Sequence, residues 1–170
     1  MMVQVIAKLA KLVSIKDLYF CSAEAVRLLT GKAPREVEVD LSYSAEGRLV
    51  GPKTIEAVVS FLVKVNGLEK ATIAKIACKV RVLYQIEDAA ALQGIELTDE
   101  VVSAFAQTNG TYNAFPYFRE YLQGTCGRLG IPPVIAPALM ASELFDRLRD
   151  DGTPKKDNVI PLKRVRASGA

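Results

Sequence analysis

From Val37 to Tyr43 the chain alternates without interruption. Val37, Val39, Leu41 and Tyr43 are apolar, and Glu38, Asp40 and Ser42 between them are polar. This is the period of a strand with one face on a core and the other in water. The same period runs from Thr54 to Val65, where Ile55, Ala57, Val59, Phe61, Val63 and Val65 share a side. It returns from Ala71 to Ile86, with Ile76, Cys78, Val80, Val82, Tyr84 and Ile86 on one face and Lys75, Lys79 and Arg81 on the other. Asn66-Gly67 between these two runs is a short hairpin signal. Ser14 to Cys21 reads as a further strand, and Ser22 to Pro34 as the connection that crosses to the next. Connections as short as the later ones join antiparallel neighbours, so the first half predicts an antiparallel sheet of about four strands.

After Gly94 the period lengthens. Thr98 is placed to cap a helix whose first turn holds Asp99 and Glu100, favourable at the positive end of the helix dipole. Its apolar face is Val101, Val102 and Phe105, and Asn109-Gly110 reads as its end. A second, longer helix is predicted to start at Asn113 as N-cap, with Pro116 in its first turn. Phe115, Phe118, Leu122, Cys126 and Leu129 form its apolar stripe, and Tyr117 and Tyr121 lie on an adjacent face. Gly130 suits a left-handed cap, and Pro132 and Pro133 prevent continuation. Ile131 to Pro137 forms a proline-rich loop before a short helix around Ser142 to Leu148. Val3 to Leu12 reads as an amphipathic N-terminal helix. Strands followed by helices predict an α+β fold, a four-stranded antiparallel sheet with a long and a short helix on one face. Apolar surface left over by that arrangement predicts a homo-oligomer.

Composition narrows the chemistry. Half of the 170 residues are hydrophobic and about a quarter are charged, ordinary for a globular domain. Residues 1–150 read as one domain. Residues 151–170 read as a basic, disordered tail, with Lys155, Lys156, Lys163, Arg164 and Arg166 against Asp157. That tail accounts for the net charge of +3 and reads as a solvated end rather than a nucleic-acid contact. The absence of histidine removes the common nucleophilic triads and histidine metal sites together. Cys21, Cys78 and Cys126 fit no zinc or redox spacing and read as thiols in a reducing compartment. No catalytic residue, metal or cofactor is expected, nor a membrane-inserted segment, and the cytoplasm is the expected location.

The ordered set of strings then resembles the SecB family of bacterial export chaperones. Asn113, Phe115, Pro116, Tyr117, Arg119 and Glu120 are similar to the opening of that family's long helix. Ile135, Ala136 and Pro137 resemble the following loop, and Leu144 and Phe145 the last helix. IKDLYF at Ile15, VEVDLSY at Val37 and VLYQIED at Val82 resemble three of its strands, so that the similarity spans Ser14 to Leu148. The resemblance implies an ATP-independent holdase that binds unfolded polypeptide clients, serving protein export or a dedicated client such as an antitoxin. It implies a homotetramer built as a dimer of dimers, with the long helices between layers and Tyr117, Phe118 and Tyr121 at the interface. It also implies client-binding positions at Val39, Leu41 and Phe145, to which Leu129, Ile131 and Leu144 are added by proximity. Of three acidic positions that help dock SecA, Asp17 matches one, whereas Cys21 and Ala77 stand at the others. Lys75, Lys79 and Arg81 make the same neighbourhood positive, which weakens docking of that kind. The alternative reading is a module that binds one folded partner through the same sheet face; breadth of binding separates the two.

Overall fold

A computed structural model describes residues 2–148 and 159–166, apart from 33, 35, 68–70, 89 and 93. Helix α1 (Met2–Ala10) precedes four strands: β1 (Val13–Arg27), β2 (Glu36–Gly51), β3 (Thr54–Asn66) and β4 (Thr72–Ile86). Helix α2 (Asp99–Phe105), a π-turn (Ala106–Gly110) and helix α3 (Thr111–Leu129) follow, then α4 (Ala141–Asp146) and β5 (Val159–Arg166). The strands lie in the order β1-β4-β3-β2-β5, all pairs antiparallel. The predicted α+β class and four-stranded sheet are therefore present, and a fifth strand is added from the tail.

Register explains why one face is core. Tyr43 lies opposite Phe61 and Phe61 opposite Cys78, while Leu41, Val63 and Ile76 form the next row. All of these are buried. Every strand residue with the parity of Val37 thus points toward the helices, as the alternation requires. Phe61 stacks on Phe118 of α3 at 4.4 Å between ring centroids, and Tyr84 meets Phe105 edge-on at 5.0 Å. The opposite face is polar. There the carboxylate of Glu56, itself buried, lies 2.5 Å from Arg48 and 3.2 Å from Arg81.

Three expectations need correction. Asn109-Gly110 does not end a helix, and Asn113 is not an N-cap. The path is helical from Asp99 to Leu129, and Thr111 directly after the π-turn already has helical angles (φ −63°, ψ −45°). A glycine in that position reads as a breaker, but Gly110 is buried against Ala57 and Val59 of β3, where any side chain would hold the helix off the sheet. The π-turn also frees a carbonyl. Tyr84 donates its hydroxyl to Asn109 O at 3.0 Å and accepts from Asn113 Nδ2 at 2.8 Å, so that one β4 side chain clamps the junction. Second, β1 extends to Arg27, well past Cys21. Bulges between Ile15 and Asp17 and between Phe20 and Ser22 break its alternation and hid its length. Third, Val159–Arg166 of the tail is a strand on β2. Residues 149–158 and 167–170, including Lys155, Lys156 and Asp157, and Ala33 of the crossing connection lie outside the described residues.

Burial of the Tyr84 clamp makes a prediction. Burial pushes the Tyr84 hydroxyl from its ordinary 10.0 up to about 12, against the opposing pull of the Asn113 hydrogen bond. Burial likewise pushes the Cys78 thiol from 9.0 to about 12, with a smaller contribution from Cys21. Both groups fold in the protonated form, so their contribution is intact below the unfolded values and is lost as pH climbs through the folded ones. Urea midpoints are expected to hold steady to about pH 9 and then fall, Tyr84 accounting for on the order of 2 kcal/mol of the loss between about pH 10 and 12. Tyr84→Phe is expected to flatten the slope above pH 10. An unchanged slope in that variant would assign the alkaline loss elsewhere.

Candidate functional site

The register places Val39 and Leu41, two of the expected client positions, at one end of the sheet. Arg27, Ala74, Val65 and Val39 form a single row across β1, β4, β3 and β2. The next row is Ala25, Ile76, Val63 and Leu41. Helix α3 runs from Tyr84, at the far end of these strands, over Phe61 and stops above Arg27. There the Arg27 guanidinium donates to three carbonyls: Leu129 at 2.8 Å, Leu29 at 3.1 Å, and Gly31. One cation thus ties the strand end and the crossing connection to the last turn of α3.

Gly130 ends α3 in the left-handed conformation, φ 59°. Ile131 N donates back to Cys126 O at 3.1 Å, as a helix closed in this way should. A Cβ at Gly130 would lie 2.9 Å from Arg27 Nη1, so both the backbone angle and the neighbouring cation favour glycine. The chain then turns into residues 131–140, where Val134 and Ala136 are buried and Ile135 is exposed. In α4, Leu144 is buried and Phe145 is half-buried against the core. Just past α4, the Arg147 guanidinium stands 5.9 Å from the centre of the Tyr43 ring, which fixes the helix beside β2.

The six expected client positions share neither a single neighbourhood nor an exposure: Val39, Leu41, Leu129 and Ile131 belong to the end where α3 stops, and Leu144 and Phe145 to α4 beside the π-turn. Val39, Leu41, Ile131 and Leu144 are buried, and Leu129 and Phe145 are half-buried. The accessible apolar groups are ones that periodicity did not single out: Leu28 of the crossing connection (50% exposed), Ile135 (62%) and Met140 (59%). Each stands at the margin of an element rather than in a periodic run, where sequence alone has no signal for it.

A second apolar surface follows β1 and α3. Ile15, Phe20, Tyr112 and Tyr117 are exposed, and the rings of Phe20 and Tyr121 lie 5.5 Å apart. Ile15, Leu18, Tyr112, Pro116, Tyr117 and Leu139 line a groove of about 550 Å³. Tyr117 is exposed, and Tyr121 is half-buried against the core beside Phe20. Phe118, grouped with them from the sequence, is fully buried between Phe61 and Phe115 and has no surface to offer a partner. The outer sheet face carries Asp17 and Glu24 together with Lys75, Lys79 and Arg81, and Arg81 donates to the Tyr19 hydroxyl at 3.0 Å. Among the described residues, no group of three or more cysteine, aspartate or glutamate side chains could hold a metal ion, and no helix is long and apolar enough to cross a membrane.

No protein-family model matches the chain, and no curated protein matches it. A solved structure does. It is the Mycobacterium tuberculosis Rv1957 SecB-like chaperone in complex with a ChAD peptide from the Rv1956 HigA1 antitoxin. The identity is 22% and the TM-score 0.68, over 81% of this chain and 97% of the mycobacterial one. Agreement over nearly the whole of that protein takes in the sheet, the crossing connection and the helical layer together. The chain has the fold of a SecB-like chaperone.

Proposed function

We propose that the chain is an ATP-independent holdase for non-native polypeptides, acting in the cytoplasm on a dedicated client such as an antitoxin. The observation that carries this reading is the SecB-like fold itself, in which residues 131–140 run from the end of α3 above Arg27 to α4 beside the π-turn and Tyr43 of β2. A holdase needs apolar surface next to pairing backbone and no reacting group. Leu28, Ile135 and Met140 supply accessible apolar surface, and the buried Val39 and Leu41 of β2 are the floor of the candidate groove. A client reaches the floor when the segment carrying α4, held at Tyr43 by Arg147, moves aside. The purified protein is expected to suppress aggregation of several unrelated, chemically unfolded proteins at stoichiometric ratio. Failure with every one of them would sink the proposal.

Phe145 gives the sharper check. Half-buried on α4, it packs on the core without being part of its closed interior. Phe145→Ala is expected to weaken client binding about tenfold, equivalent to about 1.4 kcal/mol, while lowering the urea midpoint only slightly. Loss of the folded state without a selective binding defect would make Phe145 a plain core residue.

The free edge of β1 and the tyrosine face of α3 form the surface for a second copy. Among the described residues no strand pairs with the outer edge of β1, and Phe20, Tyr117 and Tyr121 stand beside it. Pairing there joins two sheets side by side, and the helical faces then stack two such dimers into a tetramer. Docking of SecA is left out of the proposal, because Lys75, Lys79 and Arg81 add positive charge along the outer sheet face that carries Asp17.

A further inference from the structure

The edge of β2 away from β3 is covered by the chain's own C-terminal strand. Val165, Leu162 and Ile160 stand opposite Val37, Val39 and Leu41, apolar against apolar on the register positions of the core face. Arg166 stands opposite Glu36. Lys163 and Arg164 occupy the register shift between Val37 and Val39, across from Glu38. The segment VIPLKRVR therefore matches this edge in both hydrophobicity and charge.

The match is also visibly imperfect. Pro161, opposite Asp40, turns its ring nitrogen away from β2 on the outer side of the edge strand, but the shift at Lys163-Arg164 interrupts the pairing. β5 spans Glu36 to Ser42, whereas β3 pairs with β2 from Glu38 to Gly51 without a break before Leu49. A segment without that shift pairs better with the same edge. The strand so covered carries Val39 and Leu41, two of the expected client positions.

We propose that Val159–Arg166 occupies the β2 edge as an intramolecular competitor of the extended clients that the holdase reading places there. This rests on the holdase reading. The client adds a strand to β2, with backbone hydrogen bonds giving affinity and the acidic residues of β2 selecting basic side chains. The tail, joined through residues 149–158, competes at the high effective concentration of a short tether. Only clients that pair better than VIPLKRVR displace it, which makes the chaperone selective.

The test uses the full-length chain and a variant, Ile160→Pro with Leu162→Pro, that keeps length and charge but removes the two N–H groups that face Leu41 and Val39. Binding of fluorescently labelled, reduced and carboxamidomethylated lysozyme, a basic unfolded chain, is measured for both by anisotropy. The expected result is about tenfold tighter binding by the variant, as for a tail that covers the edge about nine-tenths of the time. Lys163→Glu with Arg166→Glu, which sets like charges across from Glu38 and Glu36, is expected to act in the same direction and serves if the proline variant misfolds. A synthetic VIPLKRVR peptide is expected to compete with the client on either variant. Equal or weaker client binding by the folded variants overturns the competitor while leaving the holdase reading in place. Absence of client binding by parent and variants alike overturns both.

Discussion

Alanine at Phe118 is expected to cost the protomer about 3–5 kcal/mol, a large share of the roughly 5–15 kcal/mol that holds a domain folded. The ring is fully buried, stacked on Phe61 at 4.4 Å with 11° between planes, and tilted against Phe115 at 5.6 Å. Phe61 in turn meets Phe115 edge-on at 6.0 Å and Tyr43 at 6.4 Å. Removing Phe118 leaves a cavity walled by aromatic rings that cannot collapse into it, because Phe61 is fixed by the sheet and Phe115 by the same helix. Tyr117→Ala, one residue away, serves as the contrast. Tyr117 is 46% exposed, and the protomer is expected to keep its urea midpoint within about 0.5 kcal/mol while any dimer weakens. The pair separates core from interface on adjacent positions. A small loss at Phe118 or a large one at Tyr117 would reverse the assignment.

The same two residues show what the sequence could reveal. A period of 3.6 placed Phe118 on the stripe with Leu122 and Cys126, and all three are buried. What placed Phe118 at an interface was the resemblance, and buried area decides against it. The middle strands were legible for a simple reason: each buries one face only, so composition and geometry share a period of two. β1 was legible in part, since its bulges at Lys16 and Cys21 shift the phase and its edge position leaves most side chains in water. Asn109-Gly110 misled because glycine has two meanings in a helical stretch, an end or a close approach, and only the packing of Gly110 on Ala57 tells them apart. β5 was hidden by Pro161, which reads as a strand breaker, and by the Lys163-Arg164 pair, which interrupts its alternation at the point where its pairing is irregular. For the candidate site, Val39 and Leu41 were placed on the right strand and face, but their burial is tertiary. It depends on where α3 stops and α4 lies, and Arg27 and Arg147 set those places through long-range contacts that no local pattern encodes.

Gly47 carries the second large effect, and two opposing terms decide its sign. Within a strand, glycine is about 0.5–1 kcal/mol less favourable than alanine, so Gly47→Ala considered locally should stabilise. The geometry opposes this. A Cβ at Gly47 would press into the carbonyl oxygen of Val102 on α2 and lie 2.8 Å from the Cβ of Ala106. The carbonyl belongs to helix backbone and cannot rotate away, so α2 must lift from β2 or the strand must bend. Overpacking of this kind costs about 1–3 kcal/mol, and a backbone obstacle puts the cost at the upper end, well above the local gain. Gly47→Ala is therefore expected to lower stability by about 2–3 kcal/mol, read as a shift of the urea midpoint at constant slope. Adding Ala106→Gly removes the Cβ contact but not the carbonyl, so the double variant should recover only part of the loss. Full recovery would place the conflict at Ala106 alone, and a stabilised Gly47→Ala would mean that α2 does not approach β2 as closely as this packing requires. The consequence reaches the client end. α2, the π-turn and α3 form one continuous helical path, so a helix lifted at Gly47 is also levered at the Tyr84 clamp, and the last turn above Arg27 moves with it. Gly47→Ala is thus expected to weaken client binding as well as folding, which Phe145→Ala is not.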